Sequence, residues 1–124
     1  MDLRVLLVED DDDNRELMAE VLAASGCQVL SAATGQDGLK ALAEHAIDVV
    51  VTDVGMPGMG GLEMARAAKA IAPKVPVVIV TGWVEREDIA RARGGDVDAV
   101  LIKPVDPDAL AQAVSDVAQR RSRP

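Results

Sequence analysis

The chain has 124 residues, of which 49% are hydrophobic, enough for the core of one ordinary domain without a disulfide or a structural metal. Asp and Glu outnumber Lys and Arg by 21 to 13, and the formal charge of -8 argues against binding to a phosphate backbone. Trp83 is the only residue among Phe, Tyr and Trp, which also argues against a base-stacking surface. We therefore expect no direct nucleic-acid partner.

The apolar runs are all shorter than a bilayer-crossing helix, and the first residues show no signal-peptide pattern. We therefore expect a cytoplasmic location and no membrane contact. Cys27 is the only cysteine, so neither an internal disulfide nor a thiolate metal cluster can form. We expect this cysteine to act as a small buried hydrophobe.

The chain alternates β-rich runs with segments whose apolar residues recur at helical spacing. Strands are predicted over residues 3–8, 27–32, 47–52, 75–81 and 99–102. Helices are predicted over residues 14–25, 36–44, 62–71, 85–93 and 107–120. Asp11 or Asp12 is available to cap the first helix and Gly26 to end it, and Asp106 precedes Pro107 as the N-cap of the last helix.

A strand followed by a helix, repeated five times, implies a parallel sheet covered by helices on both faces, which is a doubly wound α/β sandwich. One domain over residues 1–120 uses all of the predicted elements. Residues 121–124 then form a basic tail or the beginning of a linker.

Polar residues follow the predicted strands where a parallel sheet binds its ligands, beyond the carboxyl ends. Glu9 and Asp10 follow the first strand, Asp53 the third, and Lys103 the fifth, while Thr81 ends the fourth. We therefore expect three acids, a hydroxyl and an ammonium at one edge of the sheet.

Carboxylates that are brought together repel one another unless a cation is present, and proteins bind Mg²⁺ through one or two carboxylates, water and phosphoryl oxygens. The acids therefore indicate a Mg²⁺ site. With Mg²⁺ and Lys103 neutralising charge, the carboxylate of Asp53 can attack a phosphorus atom in line and form an aspartyl phosphate. Thr81 can donate a hydrogen bond to a phosphoryl oxygen.

The residues that carry this interpretation closely resemble the response regulator receiver family, and the resemblance covers essentially the whole chain. The matching motifs stand in family order at the ends of successive predicted strands: Val8-Glu9-Asp10, Asp53-Val54-Gly55-Met56-Pro57 with Gly61, Thr81-Gly82 and Lys103-Pro104. Each motif alone is weak, but together they make a specific signal.

The resemblance implies a flavodoxin-like fold of strand order 2-1-3-4-5 and a phosphorylation-dependent signalling switch of a two-component phosphorelay. Asp53 would accept the phosphoryl group from the phosphohistidine of a sensor histidine kinase or a histidine phosphotransfer protein. The domain would catalyse only its own Mg²⁺-dependent phosphorylation and dephosphorylation. Its output would pass to a downstream effector protein or to an output domain fused to it in a longer parent.

The resemblance also implies roles for single residues. The metal ligands would be the acid pair, the phosphoacceptor and one backbone carbonyl: Glu9, Asp10, Asp53 and Gly55. Lys103 would contact the phosphoryl group, and the peptide bond between Lys103 and Pro104 would be cis, a form that is essentially restricted to proline.

Two positions bear on the output and on the lifetime of the phosphoryl group. Val100 stands where the family usually carries an aromatic residue that swings inward when Thr81 moves, and valine cannot make that change of rotamer. Trp83 and Gly55 stand at positions that flank the phosphoryl group in receivers. A bulky indole at residue 83 is expected to slow the attack of water.

Two other functions fit part of the pattern. A small Mg²⁺-dependent phosphohydrolase would share the first step on Asp53, but Gly55 stands where a second acid would protonate the leaving group. A degenerate receiver used only for protein interaction would explain Val100, but not the presence of every phosphorylation residue.

A calcium loop of the EF-hand type is excluded by Arg15 at the position that requires glycine and by Val21 at that of the final glutamate. Asp11, Asp12 and Asp13 are interpreted as a solvated helix start.

Overall fold

The computed structural model describes residues 2–53, 59–82 and 96–122, and these form five strands and four helices. In chain order they are β1 (Arg4–Val8), α1 (Asp12–Ala24), β2 (Gln28–Ala32), α2 (Gly35–Glu44), β3 (Val49–Asp53), α3 (Gly61–Ile71), β4 (Val77–Thr81), β5 (Ala99–Ile102) and α4 (Pro107–Ser122). The helix predicted over residues 85–93 lies outside the described residues, as do Gly55 and Trp83.

The five strands form one parallel sheet of order β2-β1-β3-β4-β5, which confirms the predicted α/β architecture and strand order. Strand β1 lies between β2 and β3, and Val5 pairs with Val29 on one side and with Val49 on the other. The carboxyl ends of β1, β3, β4 and β5 therefore meet at one edge of the sheet, where ligands of open parallel sheets bind.

Alternate residues of the central strands enter two separate cores, because successive side chains of a strand point to opposite faces. One core packs the sheet against α1 and α4 and includes Val5, Leu7, Leu22, Val49, Val51, Val78, Val80, Leu110, Val114 and Val117. The other packs it against α2 and α3 and includes Leu6, Val8, Leu42, Val50, Met64, Ala65, Ala68, Val77 and Ile79. Cys27 is buried in the first core, as expected.

Helix α1 has the two ends that its sequence predicts. Asp11 is the N-cap, and its carboxylate accepts a hydrogen bond of 3.1 Å from the backbone N–H of Asp13. At the other end, Gly26 has a φ of 92°, a conformation that suits glycine, and Cys27 donates its N–H to the carbonyl of Leu22. The direction in which the chain enters β2 follows from this turn.

Strands β3 and β4 begin two residues later than the apolar runs suggest. Asp48 precedes β3 and makes two hydrogen bonds of 2.8 Å with the backbone of Arg4. Its carboxylate accepts from the N–H of Arg4, and its own N–H donates to the carbonyl of Arg4. Pro76 lacks an N–H and so cannot donate to a ladder ahead of β4. Ile47 and Val75 remain buried and extend the core beyond the ends of the strands.

Among the described residues, none of the helices is long and apolar enough to span a bilayer.

Candidate functional site

The structure brings four of the predicted site residues to the carboxyl edge of the sheet. Glu9 directly follows β1, Asp53 ends β3, Thr81 ends β4, and Lys103 directly follows β5. The ammonium of Lys103 lies 2.8 Å from Oδ2 of Asp53 and 3.2 Å from Oε1 of Glu9. One cation therefore bridges two carboxylates that are 44 residues apart in the chain.

Asp10 completes a group of three acids. One carboxylate oxygen from each of Glu9, Asp10 and Asp53 lies within 4.8 Å of the other two. Glu9 is buried, Asp53 is half-buried and Asp10 is exposed, so the group opens to solvent on the side of Asp10. Within the described ranges, this is the arrangement of acids that is close enough to hold a metal ion.

The second carboxylate oxygen of Glu9 is an unusual feature of this group. Oε2 is buried and has no hydrogen-bond partner in the part of the chain that the structure describes. A buried oxygen of this kind is costly unless it is protonated or meets a cation. The group therefore has both the ligand type and a free oxygen that suit a hard divalent ion.

The pKa of Glu9 is raised from 4.5 to about 7, first by burial and then by the neighbouring Asp53, which acts through a hydrogen bond and through charge repulsion. Lys103 opposes this rise because its positive charge favours the ionised carboxylate. Glu9 is 1% exposed, so water does little to screen these interactions.

Lys103 is held from several directions. Burial disfavours its ammonium form, but hydrogen bonds and charge attraction to Asp53 and Glu9 outweigh this effect and raise its pKa. The backbone N–H of Lys103 donates to the carbonyl of Thr81 at 2.8 Å, which joins the ends of β4 and β5. The peptide bond from Lys103 to Pro104 is cis, as the resemblance to the receiver family implies.

Arg15 is a residue of this edge to which the sequence assigned no role. Its Nη1 donates to the backbone carbonyl of Glu9 at 2.9 Å, and its Nη2 forms an ion pair with Asp12. The only signal in the sequence is a single cation, one turn into α1, after a run of five acids. A bond from a side chain to a distant carbonyl leaves no periodic pattern that would reveal it.

Val100 lies in β5 and pairs with Ile79 of β4. Its side chain is half-buried and packs against the core beneath α2 and α3. The position therefore carries a small aliphatic contact, where the receiver family usually has an aromatic ring.

A model of the response regulator receiver domain matches residues 5–115. The chain belongs to this family. Receiver domains are signalling domains, and the flavodoxin-like sheet described above is their fold. A solved receiver domain protein from Clostridium thermocellum shares 29% sequence identity with this one, has a TM-score of 0.91 and covers 96% of each chain.

Two curated relatives carry a receiver domain within longer proteins. The sensor histidine kinase RcsC of Salmonella typhi is 37% identical over 96% of this receiver, which spans 13% of that protein. The transcriptional regulatory protein GlrR of Escherichia coli strain K12 is 34% identical over 94% of it, which corresponds to 26% of that protein. The chain therefore spans a small part of these relatives.

Proposed function

We propose that this receiver domain is a switch in which Asp53 accepts a phosphoryl group from a phosphohistidine. The observation that carries the proposal is the bridge from Lys103 to the carboxylates of Asp53 and Glu9. A cation beside a carboxylate favours its ionised, nucleophilic form and neutralises the charge that a phosphoryl group brings. Membership of the receiver family supports the same function.

Mg²⁺ is the ion that suits the three acids. Glu9, Asp10 and Asp53 offer only oxygen ligands, and Oε2 of Glu9 is buried without a partner among the described residues. These three, together with the backbone carbonyl of Gly55, would hold the ion. When it is bound, it supplies positive charge that offsets the carboxylates and the phosphoryl oxygens.

The residues of the chain perform the transfer. A carboxylate oxygen of Asp53 forms the new bond to phosphorus while the bond from phosphorus to the donor imidazole breaks. Lys103 stays beside the transferred group and balances its charge, and Thr81 donates a hydrogen bond to a phosphoryl oxygen. Attack of water on phosphorus later releases inorganic phosphate and restores the carboxylate. The chain catalyses only these two reactions on itself.

The product of the reaction is a shift between conformers, because phosphorylation favours the conformer that holds the phosphoryl group best. The donor is a sensor histidine kinase or a histidine phosphotransfer protein. The output is read by an effector protein or by a domain fused to residues 1–120. The predicted tail or linker over residues 121–124 would begin later, because α4 continues to Ser122. The switch acts in the cytoplasm, without direct contact to nucleic acid or membrane.

Intact-protein mass after incubation with Mg²⁺ and acetyl phosphate tests the proposal, with Asp53→Asn and a sample in EDTA as controls. One phosphoryl adduct that requires Mg²⁺ and is absent from Asp53→Asn is the expected result. No adduct from acetyl phosphate or from a phosphohistidine donor would favour the interaction-only receiver. Multiple turnover of phosphate esters would favour the phosphohydrolase.

Trp83 gives a second measurement on the same adduct. Its indole is proposed to slow the attack of water on the phosphoryl group, so Trp83→Ala should lose the group faster than the parent protein. An unchanged or slower loss would remove this role from Trp83 and leave the phosphorylation of Asp53 untouched.

A further inference from the structure

We infer that Arg15 is a positioning residue of the metal site, which acts by holding the peptide unit between Glu9 and Asp10. The inference rests on the proposed function, since it concerns the same three acids. Its starting point is the hydrogen bond of 2.9 Å from Nη1 of Arg15 to the carbonyl oxygen of Glu9.

The carbonyl of Glu9 belongs to the rigid, planar peptide unit whose other end is the nitrogen of Asp10. The N–H of Glu9 is already bound to the carbonyl of Ala32 at 3.0 Å, at the end of β2. Arg15 therefore secures the second of the two peptide units that flank Glu9. With both units held, the direction in which the chain leaves β1 is set, and so is the position of the Asp10 α-carbon.

Asp10 depends on this support more than the other two acids do. Glu9 and Asp53 are each held by Lys103 through their side chains. Asp10 is exposed, and in the part of the chain that the structure describes its carboxylate receives no hydrogen bond. Its placement beside the other two acids therefore comes from its backbone, which Arg15 holds.

The ion pair with Asp12 does not account for this arrangement of Arg15. The side chain of Asp12 is 86% exposed, and exposed ion pairs contribute little to stability. The side chain of Arg15 is only 22% exposed, and its bond to Glu9 is a charge-assisted one in a partly buried place. The bond to the Glu9 carbonyl, and not the ion pair with Asp12, therefore fixes the guanidinium at the end of β1.

Residues that orient metal ligands without touching the metal typically change metal affinity by about 10-fold or more when they are removed. Arg15→Ala is therefore expected to raise the Kd for Mg²⁺ by about 10-fold. Arg15→Lys, which keeps a charged donor to the Glu9 carbonyl, should recover part of this loss. Asp12→Asn is the matched control, because it removes the ion pair but leaves the bond to Glu9, and its Kd should equal that of the parent.

The experiment is a titration of the metal-free full chain with Mg²⁺ by calorimetry, and with Mn²⁺ by electron paramagnetic resonance. Thermal unfolding in EDTA runs beside it. A role in stability alone would lower the unfolding midpoint of Arg15→Ala and leave the Kd of the folded protein unchanged, and this result would overturn the inference. If Arg15→Ala does not fold, the comparison of Arg15→Lys with Asp12→Asn decides in the same way.

The same titration separates this inference from the proposed function. A parent chain that binds no Mg²⁺ would overturn both. A parent chain that binds Mg²⁺ but forms no adduct with acetyl phosphate or with a phosphohistidine donor would overturn the proposed function alone, and the affinities of the variants would still decide the role of Arg15.

Discussion

The ammonium of Lys103 lies 2.8 Å from Oδ2 of Asp53, at the ends of two strands that are not neighbours in the sheet. Strand β4 lies between β3 and β5 and ends at Thr81, whose carbonyl accepts the backbone hydrogen bond from Lys103. The contact therefore spans the edge where the proposed phosphoryl transfer takes place. It also leaves Lys103 in reach of Glu9 at 3.2 Å, so any change at Lys103 affects both carboxylates.

Lys103→Gln is expected to raise the pKa of Glu9 above its present value of about 7, because Lys103 is the group that lowers it. It should also slow the formation of the acetyl phosphate adduct by about 10²–10³-fold, which corresponds to about 2.7–4 kcal/mol for loss of one group that stabilises transition-state charge. Carbon NMR of the glutamate carboxyls and intact mass measure the two effects. Lys69→Gln, which removes a lysine that is paired with Asp98 instead, is the control. An unchanged Glu9 pKa in Lys103→Gln would contradict the bridge.

The stability of the metal-free protein should fall as the pH rises from about 4.5 to about 7, because of Glu9. Its pKa is higher in the folded protein than in the unfolded chain, so the folded state binds more protons in this window. Raising the pH therefore lowers the free energy of unfolding. The change is of the order of 3 kcal/mol, since the pKa differs by about 2.5 units and one unit corresponds to about 1.4 kcal/mol.

Urea unfolding in EDTA at several pH values measures this slope. Glu9→Gln keeps the shape of the side chain and cannot ionise, so its stability should be nearly flat across the same window. A parent protein that gains stability between pH 5 and pH 7, relative to Glu9→Gln, would show that the folded pKa of Glu9 is not raised.

The sequence predicts the edge of the sheet better than it predicts the contacts within it. Apolar runs that end in Glu9, Asp53 and Lys103 place these residues at one edge, since parallel strands have their carboxyl ends together. The strand order itself rests on the family resemblance. The boundaries of β3 and β4 are shifted because Ile47 and Val75 are buried without belonging to strands.

The contacts that the sequence does not reveal are those between distant polar groups. The bond from Lys103 to Glu9 joins residues 94 positions apart, and that from Arg15 reaches a main-chain oxygen. The sequence places Glu9 and Lys103 at the same edge, but neither of the two contacts is marked by residue type or spacing. The raised pKa of Glu9 has the same origin, since it depends first on burial at the end of β1, which appears only when the helices cover the sheet.

Gly38→Ala is expected to destabilise the fold, although the same change in an open helix would stabilise it by about 0.5–1 kcal/mol. A Cβ at residue 38 in α2 would lie 2.7 Å from Cγ2 of Val8, a fully buried β-branched side chain with little freedom to move. Overpacking of this kind typically costs about 1–3 kcal/mol.

Urea unfolding compares this variant with Gly82→Ala, where a Cβ would meet nothing within 4 Å. Gly38→Ala should cost less in a Val8→Ala background than in the parent, because Val8→Ala removes the atom that is struck; the comparison is a double-mutant cycle, since Val8→Ala destabilises the core by itself. A Gly38→Ala protein as stable as its parent would mean that α2 can move away from β1 at little cost.

Asp98 provides the last prediction, because it joins two elements at the opposite edge of the sheet. Its Oδ2 accepts hydrogen bonds from the backbone N–H of Val77 at 2.8 Å and from Nζ of Lys69 at 2.9 Å. Asp98→Ala leaves the first amide of β4 without this acceptor, and an unsatisfied, partly buried donor costs about 1–3 kcal/mol. Asp98→Asn keeps an oxygen for that amide and loses only the charge.

The expected order of unfolding free energies is parent, then Asp98→Asn within about 1 kcal/mol, then Asp98→Ala. Lys69→Met isolates the ion pair, whose side chains are 21% and 37% exposed, and should cost no more than Asp98→Asn. Urea unfolding at pH 7 and at high salt separates the two contributions, because salt weakens the ion pair and leaves the bond to Val77 intact. Equal losses in Asp98→Asn and Asp98→Ala would show that the charge on Asp98, and not its bond to the strand, is what stabilises this edge.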